Sequence, residues 1–323
     1  MRHRRFAALG LALIAVGAIS WGVADPGNGP ALMLVGALLP AAAALWVWAE
    51  LGGQAPVRAA IGGTVVGITV ALVSHGVVLA FAYAFLLGFA EAATDFLDAL
   101  SVDPKLTEIL GSPWTILLMI EVAVVAPLTE EFGKALGGRW QRPGSRREAF
   151  VAGAAAGAGF AVAENVLYAS GALWFGVPWT ALLLGRSMGA AVHVFGSGLV
   201  SMGWWQWRAT GESRHMWRGY ASGVAVHALW NGSLVVLSVA DGAYQLTEST
   251  LGFPALSLAY SAVIGAVTAA GLWMTTRALR DDDRGRVGLR LAEASGIGGW
   301  IVVAASLLVP VAMLVLTFPR IYG

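Results

Sequence analysis

Seven ionisable side chains lie together in four consecutive apolar segments of the sequence: Glu130, Glu131, Lys134, Glu164, Arg186, His193 and His227. A charge at the centre of a bilayer costs from a few kcal/mol upward, so each such residue is a candidate for function. Carboxylates and imidazoles in apolar surroundings either activate a water molecule, alone or through a metal ion, or relay ions. The seven residues therefore predict a hydrolytic site or an ion pathway.

The densest group is formed by Glu130, Glu131 and Lys134. Glu130 and Lys134 are four residues apart and share one helix face, whereas Glu131 lies about 100° around the axis. Lys134 can therefore hold one carboxylate and leave the other free. Two adjacent acids in a low-dielectric site repel, which separates their roles and favours one as a general base. The alternative to a catalytic role is a Glu–Lys ion pair that only stabilises the end of a helix.

The next segment carries an acid on a face of small residues. Gly153, Gly157, Phe160 and Glu164 recur at helical spacing, and Asn165 follows directly. Small residues allow a neighbouring helix to approach closely. We expect this face, with Glu164, to pack against another helix.

Two further segments each contribute an imidazole. His193 and His227 both follow a glycine by four residues, and Asn231 lies one turn after His227 on the same face. Arg186 precedes His193 by two turns. A lone buried His is more often structural, but two His beside glycines on neighbouring helices favour a shared site.

The positioning elements must be membrane helices. The 323 residues are 58% hydrophobic and include only 20 Lys and Arg and 19 Asp and Glu, against roughly 80 charged residues in a soluble chain of this length. This composition excludes a soluble protein, and a net charge of +1 argues against nucleic acid as a partner, since such binding needs a clustered basic footprint. Because the chain has no Cys, disulfides, thiol nucleophiles and Cys-ligated zinc are excluded.

About 20 apolar residues are needed to span a bilayer. On that basis we predict an all-α, polytopic bundle of about nine transmembrane helices forming a single domain over residues 1–323. The predicted catalytic core is about 114–239, with flanking helices in 6–89 and 256–318. The predicted spans are 6–24, 31–48, 61–89, 114–136, 150–168, 179–205, 220–239, 256–274 and 297–318.

Lys and Arg placement predicts the orientation, because positive residues stay on the cytoplasmic side. Sixteen of these residues fall on one side of the predicted spans, and only Lys105 and Arg320 fall on the other. We therefore predict a cytoplasmic N-terminus and an outside C-terminus. An alternative for the first span is a secretory signal cleaved after Ala24.

Depth along the helices agrees less well with a single site. Glu131 and His227 lie roughly 12–14 Å from the nearest cytoplasmic Arg, but Glu164 and His193 lie roughly 22–26 Å from theirs. Helix tilt or cytoplasmic extensions of the fifth and sixth spans would close this gap. Glu121 and His75 are also inside spans; we expect both to be structural, although either could line a substrate path.

Four motifs occur in order between residues 126 and 231. Residues 130–134 fit EExxK, residues 160–165 fit FxxxEN, Arg186 precedes His193 on one helix, and residues 227–231 read HALWN. In order and spacing these motifs resemble the PrsW family of bacterial intramembrane proteases, which are distant relatives of the CAAX-processing endopeptidases. The resemblance covers four of the nine predicted spans.

This resemblance implies cleavage of a membrane-anchored protein in the bacterial cell (inner) membrane, with anti-sigma factors as the best-known substrate type. It implies that Glu130 or Glu131 activates water, with Glu131 favoured if Lys134 occupies Glu130. The implied catalytic set is Glu130, Glu131, Lys134, Glu164, Asn165, His193, His227 and Asn231, supported by Phe160 and Arg186.

Two versions of the chemistry stay open. In one, Glu164, His193 and His227 hold a zinc ion with an open water position. In the other, which the prenyl-protease relatives favour, no metal is needed, and His193, His227 and Asn231 polarise the carbonyl and stabilise the oxyanion. Those relatives carry His in place of Glu164.

Two other classes of protein fit the same residues. A buried Glu, His and Lys set also suits an ion-coupled transporter or proton channel, and a non-catalytic scaffold could keep the fold. The adjacent Glu pair favours hydrolysis, because a relay does not need two neighbouring acids.

Overall fold

A computed structural model describes residues 4–11, 13–14, 29–80, 95, 99, 112–175, 179–245 and 253–282. All regular elements in these residues are helices, and the described part of the chain contains no strand. The prediction of an all-α fold is therefore confirmed for these residues.

Eight helical segments follow one another in the described residues. In chain order they are α1 (residues 4–11), α2 (Gly29–Leu51), α3 (Val57–Ala80), α4 (residues 113–138), α5 (Arg146–Phe175), α6 (Trp179–Thr210), α7 (Ser213–Gln245) and α8 (Phe253–Asp282).

Two of these segments are long and apolar enough, by length and composition, to cross a membrane: Val57–Ala80 and Arg146–Tyr168. A shorter apolar stretch covers Leu38–Leu51. Along α3 the large apolar side chains of Val57, Ile61, Val65 and Leu72 are exposed, as expected of a surface that faces lipid. The count of nine crossings stays a prediction, and the span 297–318 and most of 6–24 lie outside the described residues.

The helix α4 changes its hydrogen-bonding pattern along its length. It begins at Pro113, a position where the missing N–H of proline costs nothing. An α-helical part, Pro113–Ile120, leads into a π turn at Glu121–Val125 and then into a second α-helical part, Ala126–Gly138. Single π turns are rare and are frequent at functional sites. The second part carries the acidic pair.

The core of the bundle is formed where α2, α5, α6 and α8 meet. Buried side chains from all four helices pack together there, among them Trp46, Phe150, Val194 and Leu272. Along α5 most of the buried residues are alanine or glycine. This small-residue surface brings neighbouring backbones close to α5.

A buried carboxylate joins α1 and α8 to the end of α2. Glu50, at the end of α2, accepts hydrogen bonds from Arg5 of α1 at 3.1 Å and from Arg280 of α8 at 3.0 Å. Glu50 is 4% exposed, so both guanidinium groups compensate a charge that is removed from water. The flanking helices are thereby tied to one end of the bundle.

Candidate active site

Close backbone contacts bring the two site histidines together. A methyl group added at Gly157 of α5 would overlap the carbonyl oxygen of His193 on α6, and one added at Gly223 of α7 would lie 2.7 Å from the carbonyl oxygen of Gly196. Only glycine allows both approaches. As a result the rings of His193 and His227 lie edge to face, with centroids 4.8 Å apart.

A side chain of α7 hydrogen-bonds to the π turn of α4. In this turn the N–H of Ala126 bonds to the carbonyl of Glu121, five residues earlier. The following residue, Pro127, has no N–H, so it cannot donate to Val122 in the same pattern. The side-chain amide of Asn231 donates to that carbonyl instead, at 3.1 Å. Asn231 therefore fixes α4 against α7 one turn from His227.

Lys134 lies at the centre of the site and is fully buried. Its Nζ is 2.9 Å from Oε1 of Glu131, 2.9 Å from Nδ1 of His193 and 3.3 Å from Oε2 of Glu130. It also lies 4.2 Å from the ring centroid of Phe160. The single cation thus contacts both acids of its own helix α4, one imidazole of α6 and one aromatic ring of α5.

The carboxylate of Glu131 is fully engaged. Oε1 accepts from Lys134 and lies 3.0 Å from Nδ1 of His227, and Oε2 accepts from Ser197 Oγ at 2.9 Å. Glu131 is fully buried. Because both of its oxygens have partners, Glu131 serves to orient Lys134, His227 and Ser197.

His193 is held at both ring nitrogens. Nδ1 faces Lys134, and Nε2 lies 3.2 Å from Oε2 of Glu164. Because a protonated lysine can only donate, we assign Nδ1 of His193 as the acceptor and Nε2 as the protonated nitrogen. Phe160, one turn before Glu164, packs against the same imidazole, with ring centroids 5.8 Å apart.

Two buried atoms of the site face each other without a hydrogen bond. Nε2 of His227 and Oε2 of Glu130 are 3.7 Å apart. Nε2 has no hydrogen-bond partner among the described residues, and Oε2 has only the ion pair with Lys134 at 3.3 Å. Glu131 accepts from Nδ1 of His227, so Nε2 carries a lone pair. Two acceptors therefore point at one another, an arrangement that calls for a proton donor or a cation beside both.

This gap fits a metal ion. Glu130, His193 and His227 are buried, and each offers a ligand atom within 4.8 Å of the others. Two imidazoles and one carboxylate are the donors of many catalytic zinc sites. In zinc sites a carboxylate commonly accepts a hydrogen bond from the ring nitrogen of His that does not bind the metal, and so orients the ring. Glu131 makes this contact with Nδ1 of His227. In the zinc version that the family resemblance implies, Glu164 is the carboxylate ligand, and that assignment stays a prediction. In the structure Glu130 is the carboxylate grouped with the two histidines, and Glu164 contacts Nε2 of His193.

Most of the predicted site residues meet in the structure. Glu130, Glu131, Lys134, His193 and His227 are all buried in one cluster, with Glu164 and Phe160 beside it and Asn231 one turn away. Asn165 is buried next to Glu164 in sequence. The side chain of Arg186 lies outside the described residues.

The sequence analysis missed Ser197. Its hydroxyl donates to Glu131 and it is fully buried. The available signal was its position four residues after His193, which places both side chains on one face of α6.

A second polar pair lies farther along α3 and α4. Nδ1 of His75 is 3.4 Å from Oε1 of Glu121, which belongs to the π turn. Glu121 lies about 14 Å along α4 from the acidic pair. The charge of Glu164 also acts on His75, so this pair borders the candidate active site on the side of Glu164.

The structure thus combines two helices long and apolar enough to cross a membrane with a buried carboxylate–imidazole cluster of the kind that activates water. Its sequence matches the model of the PrsW-protease family, described as PrsW family intramembrane metalloprotease, over residues 55–259, which is more than half of the chain. The chain belongs to this family and is a membrane-embedded peptidase. No curated protein and no solved structure matches it.

Proposed function

We propose that the chain hydrolyses a peptide bond in a membrane-anchored protein, with the attacking water held between Glu130 and His227. The observation that carries this proposal is the pair of buried atoms Oε2 of Glu130 and Nε2 of His227, which lie 3.7 Å apart without a hydrogen bond between them. Nε2 has no hydrogen-bond partner among the described residues, and Oε2 has the ion pair with Lys134 at 3.3 Å.

A water molecule beside both atoms satisfies two acceptors at once. It donates one hydrogen bond to the carboxylate and one to the imidazole, so its own lone pairs point away from the protein. Such a water is oriented for attack on a carbonyl carbon. As the new C–O bond forms, the π electrons of the carbonyl move to its oxygen and the carboxylate of Glu130 takes the proton of the water, which is the role of a general base. Glu130 then returns this proton to the amide nitrogen, the C–N bond breaks and the amine leaves.

The neighbouring residues hold this pair in place. Glu131 fixes the tautomer of His227 through Nδ1 and is itself held by Lys134 and Ser197. The sequence analysis favoured Glu131 as the base on the condition that Lys134 occupies Glu130. Lys134 instead hydrogen-bonds Glu131, at 2.9 Å, and lies farther from Glu130, at 3.3 Å. The contacts therefore support Glu130.

A zinc ion fits the same position. Glu130 and His227 would hold it through their facing atoms, and His193 would join them by giving up one of its present contacts, Nδ1 with Lys134 or Nε2 with Glu164. A zinc ion there would supply a Lewis acid that activates water and polarises the scissile carbonyl. The family is described as metalloproteases, and this donor set suits zinc. The ammonium of Lys134 would stabilise negative charge that develops on the substrate carbonyl.

The burial of the site supports a substrate that reaches it from the membrane. Glu131, Lys134 and His227 are fully buried between helices. We propose a protein anchored in the bacterial inner membrane, such as an anti-sigma factor, and an enzyme with a cytoplasmic N-terminus and an outside C-terminus.

The test compares isosteric variants of the acidic pair in a cleavage assay on a membrane-anchored substrate. We expect Glu130→Gln to lower kcat about 10²–10⁴-fold, the usual contribution of a general base, with thermal unfolding like that of the wild type. The matched control is Glu121→Gln, on the same helix but outside the cluster, which should cleave normally. Wild-type-like cleavage by Glu130→Gln would overturn the proposal.

A further inference from the structure

A large cavity opens where the ends of three elements meet, well away from the acidic pair. Its volume is about 860 Å³, within the range typical of small-molecule sites. The basic and aromatic side chains that line it come from the first turn of α3, the turn after α4 and the end of α6: Arg58, Arg139, Arg142, Arg208, Trp140 and Trp205.

The four cavity arginines have no acidic partner in the described part of the chain. The nearby carboxylates are engaged elsewhere: Glu50 binds Arg5 and Arg280, Glu148 accepts from the backbone N–H of Gly144, and Glu212 pairs with Arg214. Four uncompensated positive charges around one cavity favour an anionic ligand.

The backbone of Arg142 supports a specific role for this turn. Its φ is 51° and its ψ is 62°, in the left-handed region, and it is the only non-glycine residue described with a positive φ. A bulky side chain seldom adopts this conformation, and strained positions of this kind cluster at ligand sites. The strained residue reverses the chain after the turn Arg139–Gln141 and lies in the cavity wall.

The lining favours a phospholipid over a small free anion. Guanidinium groups bind phosphate oxygens in a planar, two-pronged geometry. Tryptophan is enriched at the level of lipid headgroups, and Trp140 is 47% exposed at the rim. Together these side chains offer phosphate binding and an apolar surface for the glycerol and upper acyl chains.

We propose that this cavity binds the headgroup of an anionic phospholipid of the cytoplasmic leaflet. The proposal needs only a membrane-embedded chain whose predicted cytoplasmic loops carry these arginines, and it does not depend on the peptidase chemistry. Arg139 follows Lys134 by five residues, so a bound headgroup would also stabilise the end of α4 that carries the active-site lysine.

The test measures lipid binding by the full chain in detergent, using native mass spectrometry and phosphatidylglycerol or phosphatidylcholine as the probe. We expect preferential retention of phosphatidylglycerol. Each arginine removed should weaken binding about fivefold, as expected for a basic residue at an anionic surface, so Arg139→Gln with Arg142→Gln should weaken it about 25-fold. Arg208→Gln, on a separate element, provides an independent variant if the turn misfolds.

The matched control is Arg214→Gln. Arg214 is an exposed arginine paired with Glu212 and lies outside the cavity lining, so its loss should leave lipid binding unchanged. Equal retention of the two lipids, or equal weakening by Arg214→Gln, would overturn the proposal. Displacement of the lipid by inorganic phosphate at equal concentration would reassign the cavity to a free anion, and displacement by polyglutamate would reassign it to an acidic protein segment; either result also overturns it.

Discussion

Nε2 of His227 and Oε2 of Glu130 lie 3.7 Å apart, both buried and without a hydrogen bond between them, and Oε2 is held only by the ion pair with Lys134 at 3.3 Å. Around them, Lys134 contacts Glu131 and His193 at 2.9 Å, and Glu131 contacts Nδ1 of His227 at 3.0 Å. A cluster that is saturated except at one pair of facing acceptors has a defined place for a water molecule or a metal ion.

Removal of the Ser197 hydroxyl should weaken the site without removing an ionisable group. Ser197→Ala leaves one oxygen of Glu131 buried and unpaired, which costs about 1–3 kcal/mol of unfolding free energy. We expect a lower thermal midpoint and slower cleavage. The matched control is Ser201→Ala one turn later, because the Ser201 hydroxyl is buried without a hydrogen-bond partner among the described residues. Equal effects of the two substitutions would contradict the assigned role of Ser197.

Close approach of α5 and α6 should depend on Gly157. A methyl group there overlaps the backbone carbonyl of His193, so Gly157→Ala must move one helix. Overpacking of this kind costs about 1–3 kcal/mol. We expect lower stability and loss of cleavage, measured on the same preparation. Gly76→Ala on α3 is the control, since a methyl group at Gly76 meets nothing within 4 Å; if both variants behave alike, the packing argument fails.

Zinc content should discriminate between the two candidate carboxylate ligands. We expect metal analysis of detergent-purified protein to find about one zinc ion per chain, lost in His227→Ala and in Glu130→Gln but retained in Glu164→Gln. Chelation should abolish cleavage, and added zinc should restore it. Loss of zinc in Glu164→Gln with retention in Glu130→Gln would instead support the ligand set of Glu164, His193 and His227. Full activity without zinc would favour the metal-free version.

Membrane orientation can be tested directly, because the chain has no cysteine. In intact cells a membrane-impermeant maleimide should label Lys105→Cys but not Arg214→Cys, since the first position is predicted outside and the second in the cytoplasm. Both should be labelled after permeabilisation. The reverse pattern in intact cells would invert the proposed topology.

Much of the helical organisation was accessible from sequence. The predicted spans 114–136, 150–168, 179–205 and 220–239 all fall within described helices, because long apolar runs in lipid have few alternatives to the α-helix. The site residues could also be predicted from the sequence, because a Glu, Lys or His within a long apolar run is rare and is a candidate for function.

The relative depths of the site residues in the membrane could not be predicted from the sequence. Counting from the cytoplasmic arginines placed Glu164 and His193 deeper than Glu131 and His227 by roughly 10 Å. In the structure Nζ of Lys134 lies 2.9 Å from Nδ1 of His193, whose Nε2 contacts Glu164. Long helices such as Arg146–Phe175 and Trp179–Thr210 exceed the thickness of a bilayer, so residue counts do not fix the relative heights of their side chains.

By itself the sequence determined that the chain is a helical membrane protein, which residues are candidates for its chemistry and which family they resemble, because composition, apolar runs and motif order are properties of the chain alone. Only the tertiary structure decided which carboxylate Lys134 hydrogen-bonds, that Ser197 contacts Glu131, that Asn231 supports the π turn of α4 and that Glu130 faces His227. Residues 130 and 131 are adjacent on one helix, and their different partners come from α6 and α7. The positions of those helices depend on glycine contacts distant in sequence.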